Sequence, residues 1–187
     1  MNWGVLDSIR YQALTLAGWP AWRKAASLEE IGALVIRWLD GQDRVLPWHM
    51  GPPDPETAEI REPLRALNLR GLVTTNSQPG VPLGADGWEQ RAWVHLLASP
   101  ASAWSLAVRA ENAGLIVLCE GIRPLPHERV PITLRPDRRV NTSTDGAWEE
   151  LFLPGRARAV ARNAWEVTLI DPVWGRQDFL WETVTAP

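Results

Sequence analysis

The chain of 187 residues contains one cysteine, one tyrosine, two phenylalanines and two methionines. A lone Cys119 excludes an internal disulfide and a cysteine zinc site. Its position at the end of Leu115-Ile116-Val117-Leu118 reads as a buried, inert thiol rather than a nucleophile. No apolar run approaches the ~18 residues of a membrane span. The first residues carry Asp7 and no long apolar core, so they do not read as a secretory signal, and the expected location is cytoplasmic. Lysine is almost absent: among 19 basic residues only Lys24 is one. A net charge of −3 and a pI near 5.7 lack the positive balance of a general nucleic-acid binder. Gly-x-Gly-x-x-Gly, Gly-Lys-Ser/Thr and Gly-x-Ser-x-Gly are all missing, so no known nucleotide loop or nucleophile elbow is present and the cofactor stays unassigned.

What the chain does have is tryptophan, twelve of them. Indoles either fill a core, each needing a partner for its N–H, or line a pocket for a planar ligand. The arginine bias, with abundant Ala, Gly and Pro, fits a GC-rich coding sequence; bidentate recognition of carboxylate or phosphate is the alternative at single positions. With 45% apolar and 22% charged residues, the chain holds enough material for one core. We expect an N-terminal helical extension over 1–26 and a single α/β-type domain over 27–187.

Leu6, Ile9, Ala13 and Leu16 share a helical face that Gly18 and Pro20 end. Ser27-Leu28-Glu29-Glu30 is a capping box in front of Ile31, Leu34, Val35, Trp38 and Leu39, with Gly41 as the stop. Asp54-Pro55 offers a cap and a first-turn proline for a helix carrying Ile60, Leu64 and Leu67, which Pro63 should bend or divide. Leu72 to Thr75 reads as a short strand leading into a polar loop, 74–80. Gln90 to Ala98 alternates as a strand, with Arg91, Trp93, His95 and Leu97 on one face. Ser99-Pro100 opens a helix that Gly114 closes, and Leu115 to Cys119 is a strand. This strand–helix–strand unit favours an adjacent parallel pair. Val130 to Leu134 and Trp165 to Ile170 are further strands. A helix capped by Asp145 should break at Pro154-Gly155 and resume toward Asn163. Residues 135–146, with Arg135, Arg138 and Arg139, read as an exposed loop. The sum is an α+β (or α/β) fold: a mixed sheet of about five strands flanked by helices.

Leu67-Asn68, Gly71, Thr74-Thr75, Ser77-Gln78-Pro79-Gly80 and Val167-Thr168-Leu169-Ile170-Asp171-Pro172 with Trp174-Gly175-Arg176 resemble an uncharacterised family of small actinobacterial proteins, a domain of unknown function. The resemblance covers about residues 27 to 184 and implies no activity. Trp48-His49 stands where that pattern has an aromatic such as Tyr.

Two stretches are dense in polar groups: 48–57, from Trp48-His49 to Glu56-Thr57, and 74–80. Thr74, Thr75, Ser77 and Gln78 suit a phosphate, a carboxylate or a nucleobase edge, or else satisfy one another in a turn. His49, Asp54 and Glu56 could share a proton, or be explained as helix-start residues. His127, in Pro-Leu-Pro-His-Glu, reads as a loop residue. If the last strand runs parallel to 72–75, loops 74–80 and 171–178 leave one sheet edge together. Arg91, Arg176 and Trp174 would then be ligand contacts, and His95 or Asp171 the acid or base. Alternatively Trp174 is a core anchor and Arg176 pairs with Asp178. The expected function is binding of a small anionic or nucleotide-like ligand there, with no metal ligand among these residues. The competing expectation is a non-enzymatic protein-interaction role, encoded on a mobile element.

Overall fold

The computed structural model describes residues 19–119, 130–137, 140–142 and 153–186. The expected first helix, His127, Arg138, Arg139 and the Asp145 cap lie outside them. Residues 19–24 are helical (α1). Helix α2, Leu28–Leu39, starts at the Ser27 cap: Glu30 N–H donates to Ser27 Oγ at 3.2 Å, and Glu30 Oε2 reaches one residue past the cap to accept the Ala26 N–H at 2.7 Å. Its buried stripe is Ile31, Val35, Trp38 and Leu39, and Gly41 at φ +72° turns the chain away. A small hairpin, β1 (Val45–Leu46) and β2 (His49–Met50), follows.

Helix α3, Thr57–Leu69, begins later than Asp54 suggested, because the carbonyls of Asp54 and Pro55 form only a turn with the amides of Thr57 and Ala58. It runs unbroken through Pro63. The lost backbone bond costs about 3 kcal/mol. Burial of Ile60, Leu64 and Leu67, each worth about 1.5–3 kcal/mol, outweighs it. Helices α2 and α3 touch backbone to backbone: a Cβ on Gly32 would lie 2.2 Å from the Asn68 carbonyl oxygen.

The central sheet contains β3 (Val73–Gln78), β5 (Trp93–Ala98), β6 (Ile116–Cys119) and β9 (Trp165–Ile170), in the order β3-β5-β9-β6. Every pairing is antiparallel. The expected adjacent parallel pair is therefore not formed. β5 and β6, joined through helix α4 (Pro100–Asn112), do point the same way, but β9 lies between them. The reason is burial: Val167, Leu169 and Ile170 are fully buried, and a strand covered on both faces belongs in the interior of a sheet. The polar segment expected as a loop from residue 74 is mostly strand. β3 extends to Gln78, with a bulge between Thr74 and Asn76 that accommodates weak strand formers.

The expected strand 90–98 divides at Arg91-Ala92. Before the break, β4 (Glu89–Gln90) joins β7 (Pro131–Leu134) and β8 (Val140–Thr142) in a second antiparallel sheet. β8 occupies part of what reads as an exposed loop. Helix α5 (Gly155–Arg162) starts after Pro154, and α6 (Phe179–Thr185) buries Leu180, Trp181 and Val184. One core cluster joins the inner faces of α2, α3, α4 and α6 to Val94, Leu96, Val167 and Leu169. A smaller one packs Trp93, Leu118, Ile132 and Ile170 together. The architecture is α+β. No helix among the described residues is long and apolar enough to cross a membrane.

Candidate functional site

β3 is an edge strand, and its bulge sets the site. Thr74 pairs with Leu96 and Asn76 with His95, so Thr75 is the extra residue. Its Oγ1 lies 2.6 Å from His95 Nδ1 and 3.3 Å from the His95 carbonyl oxygen. Two tautomers satisfy this geometry. Either the hydroxyl donates to Nδ1, leaving the ring proton on Nε2, or Nδ1–H donates to Oγ1 and the hydroxyl turns to the carbonyl. On the far side of the ring, His95 Nε2 is 3.6 Å from Glu166 Oε2. Glu166 reaches this place from β9, two residues before Thr168, the cross-strand neighbour of His95. Hydroxyl, imidazole and carboxylate thus stand in line across three strands, with the imidazole buried.

Thr75 also lines a small cleft of about 60 Å³, open to solvent, whose walls come from both polar stretches of the sequence. Thr75, Asn76 and Ser77 form one wall; Trp48, His49 and Asp54 form another. Trp38 on α2 joins them. Its indole N–H donates to the Gly51 carbonyl at 2.8 Å, and its ring meets the His49 imidazole edge-on at 5.0 Å. His49 Nε2 sits 3.2 Å from the Pro52 carbonyl, and Trp48 packs edge-on against Trp22 at 5.4 Å. Near the start of α3, burial, Asp54 and Glu59 push the Glu56 carboxyl above its ordinary value.

Thr74, the buried neighbour, also lines this cleft; its amide donates to Asn68 Oδ1 at 3.2 Å and its Oγ1 accepts from Asn68 Nδ2 at 2.7 Å. The remaining residues singled out from the sequence lie elsewhere. Gln78 Oε1 accepts the Trp93 indole N–H at 2.8 Å. β3 and β9 do run in the same direction, so segments 79–80 and 171–176 emerge together. They meet by direct backbone contact: a Cβ on Gly80 would lie 2.0 Å from the Arg176 carbonyl oxygen. Arg176 forks onto Asp171 with two bonds of 2.7 Å, and Asp171 Oδ1 also accepts the Val173 amide. That arrangement raises the Arg176 guanidinium and leaves Asp171 fully inside the protein. Arg176 stacks on Phe179 at 3.8 Å. Arg91 covers Trp174 at 4.4 Å and donates to the Pro131 carbonyl at 3.0 Å; burial lowers its guanidinium. Neither arginine lines the Thr75 cleft.

Glu166, Trp38 and Asn68 contact the candidate site or its supports, and sequence reading gave none of them a place there. The strand Trp165 to Ile170 places Glu166 and Thr168 on one face, which was the available signal. Its relation to His95 follows only once β9 is known to lie beside β5. Among the described residues no group of three or more His, Cys, Asp or Glu is placed to hold a metal ion.

The molecule is thus an α+β domain with a polar, tryptophan-walled cleft beside β3, an outer strand of its central sheet among the described residues. A family model described as a domain of unknown function, DUF6919, matches residues 19–187, and the chain belongs to that family. Methylenetetrahydrofolate reductase 2 of Saccharomyces cerevisiae is 37% identical over 60 residues, 32% of this chain. The chain spans only about a tenth (10%) of the length of that protein, too little to bring its activity with it.

Proposed function

We propose that this protein binds a small, planar, hydrogen-bonding molecule in the Thr75 cleft, a nucleobase or nucleoside in chemical class, and moves a proton on it through Thr75, His95 and Glu166. The observation that carries this reading is the 2.6 Å contact between the Thr75 hydroxyl, on the cleft wall, and the imidazole behind it. A hydroxyl backed by an imidazole and a carboxylate can give up or receive a proton without a free charge in the cleft. Indoles supply flat apolar surface, while Asn76, Ser77 and Asp54 supply donors and acceptors for heterocycle edges. The acidic Asp54 side chain on the cleft wall, together with arginines engaged elsewhere, favours the nucleobase part of the expected ligand class over a bare anion.

The test is titration of the full chain with the common nucleobases and nucleosides, read by tryptophan fluorescence and thermal unfolding. A ligand at about 100 times its dissociation constant adds about 2.7 kcal/mol and raises the unfolding temperature by roughly 5–10 °C. Thr75→Val, close in shape but without the hydroxyl, should weaken binding about fivefold or more, and His95→Gln should weaken it as well. A flat response across the set refutes the reading.

A second reading, docking of another protein, draws on Trp104 and Val108, one turn apart on α4 and 54% and 41% exposed. It predicts that Trp104→Ser abolishes partner capture and leaves cleft titrations unchanged.

A further inference from the structure

The two walls of the Thr75 cleft differ in hydrogen-bonding character, and the sequence is the cause. One wall belongs to the stretch from His49 to Thr57, which contains Pro52, Pro53 and Pro55. Proline has no backbone N–H. From 52 to 55 the backbone therefore offers carbonyls but only one N–H, that of Asp54. The Trp38 indole N–H, a further donor on this side, is taken by the Gly51 carbonyl at 2.8 Å. His49 Nε2 lies 3.2 Å from the Pro52 carbonyl. A carbonyl only accepts, so in the neutral ring this bond places the proton on Nε2 and makes Nδ1 an acceptor. The Asp54 side chain is exposed, and among the described residues nothing donates to its oxygens. No lysine or arginine is among the described residues that line the cleft.

This wall is rich in acceptors and poor in donors. The other wall, on β3, is mixed, since Thr75, Asn76 and Ser77 each carry a donor and an acceptor. A ligand fits when its own groups are sorted to match. Adenine, cytosine and uracil alternate donor and acceptor along their pairing edge. Guanine sets two N–H groups side by side, N1–H and the 2-amino group, and keeps its acceptors O6 and N7 beyond them. Two parallel N–H groups facing a pair of carboxyl oxygens form the same fork that arginine makes. A cleft of about 60 Å³ holds one edge of a base and leaves the sugar outside.

We propose that the cleft selects guanine, with N1–H and the 2-amino group on the Asp54 side chain and O6 toward the donors of β3. This rests on the nucleobase reading given above and narrows it to one base. Asp54 is then the residue that determines specificity.

Fluorescence titration of the full chain with guanosine, inosine, xanthosine, adenosine, cytidine and uridine in separate runs tests the assignment. Guanosine should bind tightest. Inosine lacks only the 2-amino group, so it loses one hydrogen bond and should bind about tenfold more weakly. Asp54→Asn exchanges one acceptor for a donor. It should weaken guanosine binding about tenfold and strengthen that of xanthosine, which has N1–H beside a C2 carbonyl. Because the Asp54 side chain is exposed, the unfolding temperature of the ligand-free variant should match the parent. Equal binding of guanosine and inosine, or tighter binding of another nucleoside, overturns the guanine assignment and leaves the nucleobase reading standing. Selectivity that survives Asp54→Asn unchanged overturns the assignment as well. Binding of none of the six overturns both. The comparison of guanosine with inosine uses the parent chain alone, so it decides even if the variant does not fold.

Discussion

Replacing Gly32 by alanine sets two effects of opposite sign against each other. In the interior of a helix, alanine is favoured over glycine by about 1 kcal/mol. At position 32 the new methyl would lie 2.2 Å from the Asn68 carbonyl oxygen and 3.0 Å from its carbon, against the 3.4 Å at which ordinary contact begins. The obstacle is main chain, so no rotamer change relieves it; α2 and α3 must separate by about 1 Å. The same carbonyl accepts the Gly71 amide at 3.1 Å, and the Asn68 side chain holds Thr74, so the disturbance reaches the start of β3. Overpacking of this kind costs about 1–3 kcal/mol, and a rigid obstacle puts the cost at or beyond the upper end. The net expectation is destabilisation by about 2 kcal/mol, a fall in unfolding temperature of roughly 4–8 °C. Urea denaturation followed by tryptophan fluorescence should show a lower midpoint at an unchanged slope. A variant as stable as the parent, or more so, would refute the reasoning and mean that the helices slide apart at little cost.

Other perturbations test other joints. Asn68→Ala deprives the buried Thr74 amide and hydroxyl of their partner and should cost about 2–4 kcal/mol; a loss below about 1 kcal/mol, by chemical denaturation, would show that water or a shifted side chain replaces the asparagine. Arg176→Ala strands the fully buried Asp171, and because the arginine itself is 36% exposed we expect about 2–4 kcal/mol rather than the full loss of a buried pair; a near-neutral result would make this a surface pair. Glu56 binds its proton more tightly folded than unfolded, so its contribution favours the fold at pH below the ordinary glutamate value and is lost as pH rises through the raised one. Exposure to solvent keeps that contribution small, and Glu56→Gln should flatten the decline in urea midpoint as pH rises above the ordinary glutamate value. An unchanged slope would remove Glu56 from the account.

Much of the fold is legible in local signals. Ser27 with Glu30 fixes the start of α2, Ser99-Pro100 that of α4, and β9 matches the strand read over residues 165 to 170. What was not legible depends on neighbours. Nothing local says that β9 inserts between β5 and β6, because a doubly buried strand looks the same wherever it sits in a sheet. β3 reads as a loop after Thr75 because Asn76 and Ser77 are poor strand residues; pairing with β5 and a bulge override that preference. The two polar stretches around the cleft were conspicuous in sequence, whereas Glu166 was not, since its relation to His95 is set by register.

The position of β9 between β5 and β6 has a consequence for how the protein is made. On the ribosome β3, β5 and β6 all emerge before residue 165, and β6 then has no neighbour in the central sheet. Its partner arrives only after residues 120–164 have been synthesised. Until then β5 presents an unpaired edge, and the intervening chain must remain soluble while it waits. Pairings this distant in sequence close slowly, and unpaired strand edges invite association with other chains. Aggregation of fragments that stop short of residue 165, compared with chains that include β9, would measure how much the final strand protects the rest.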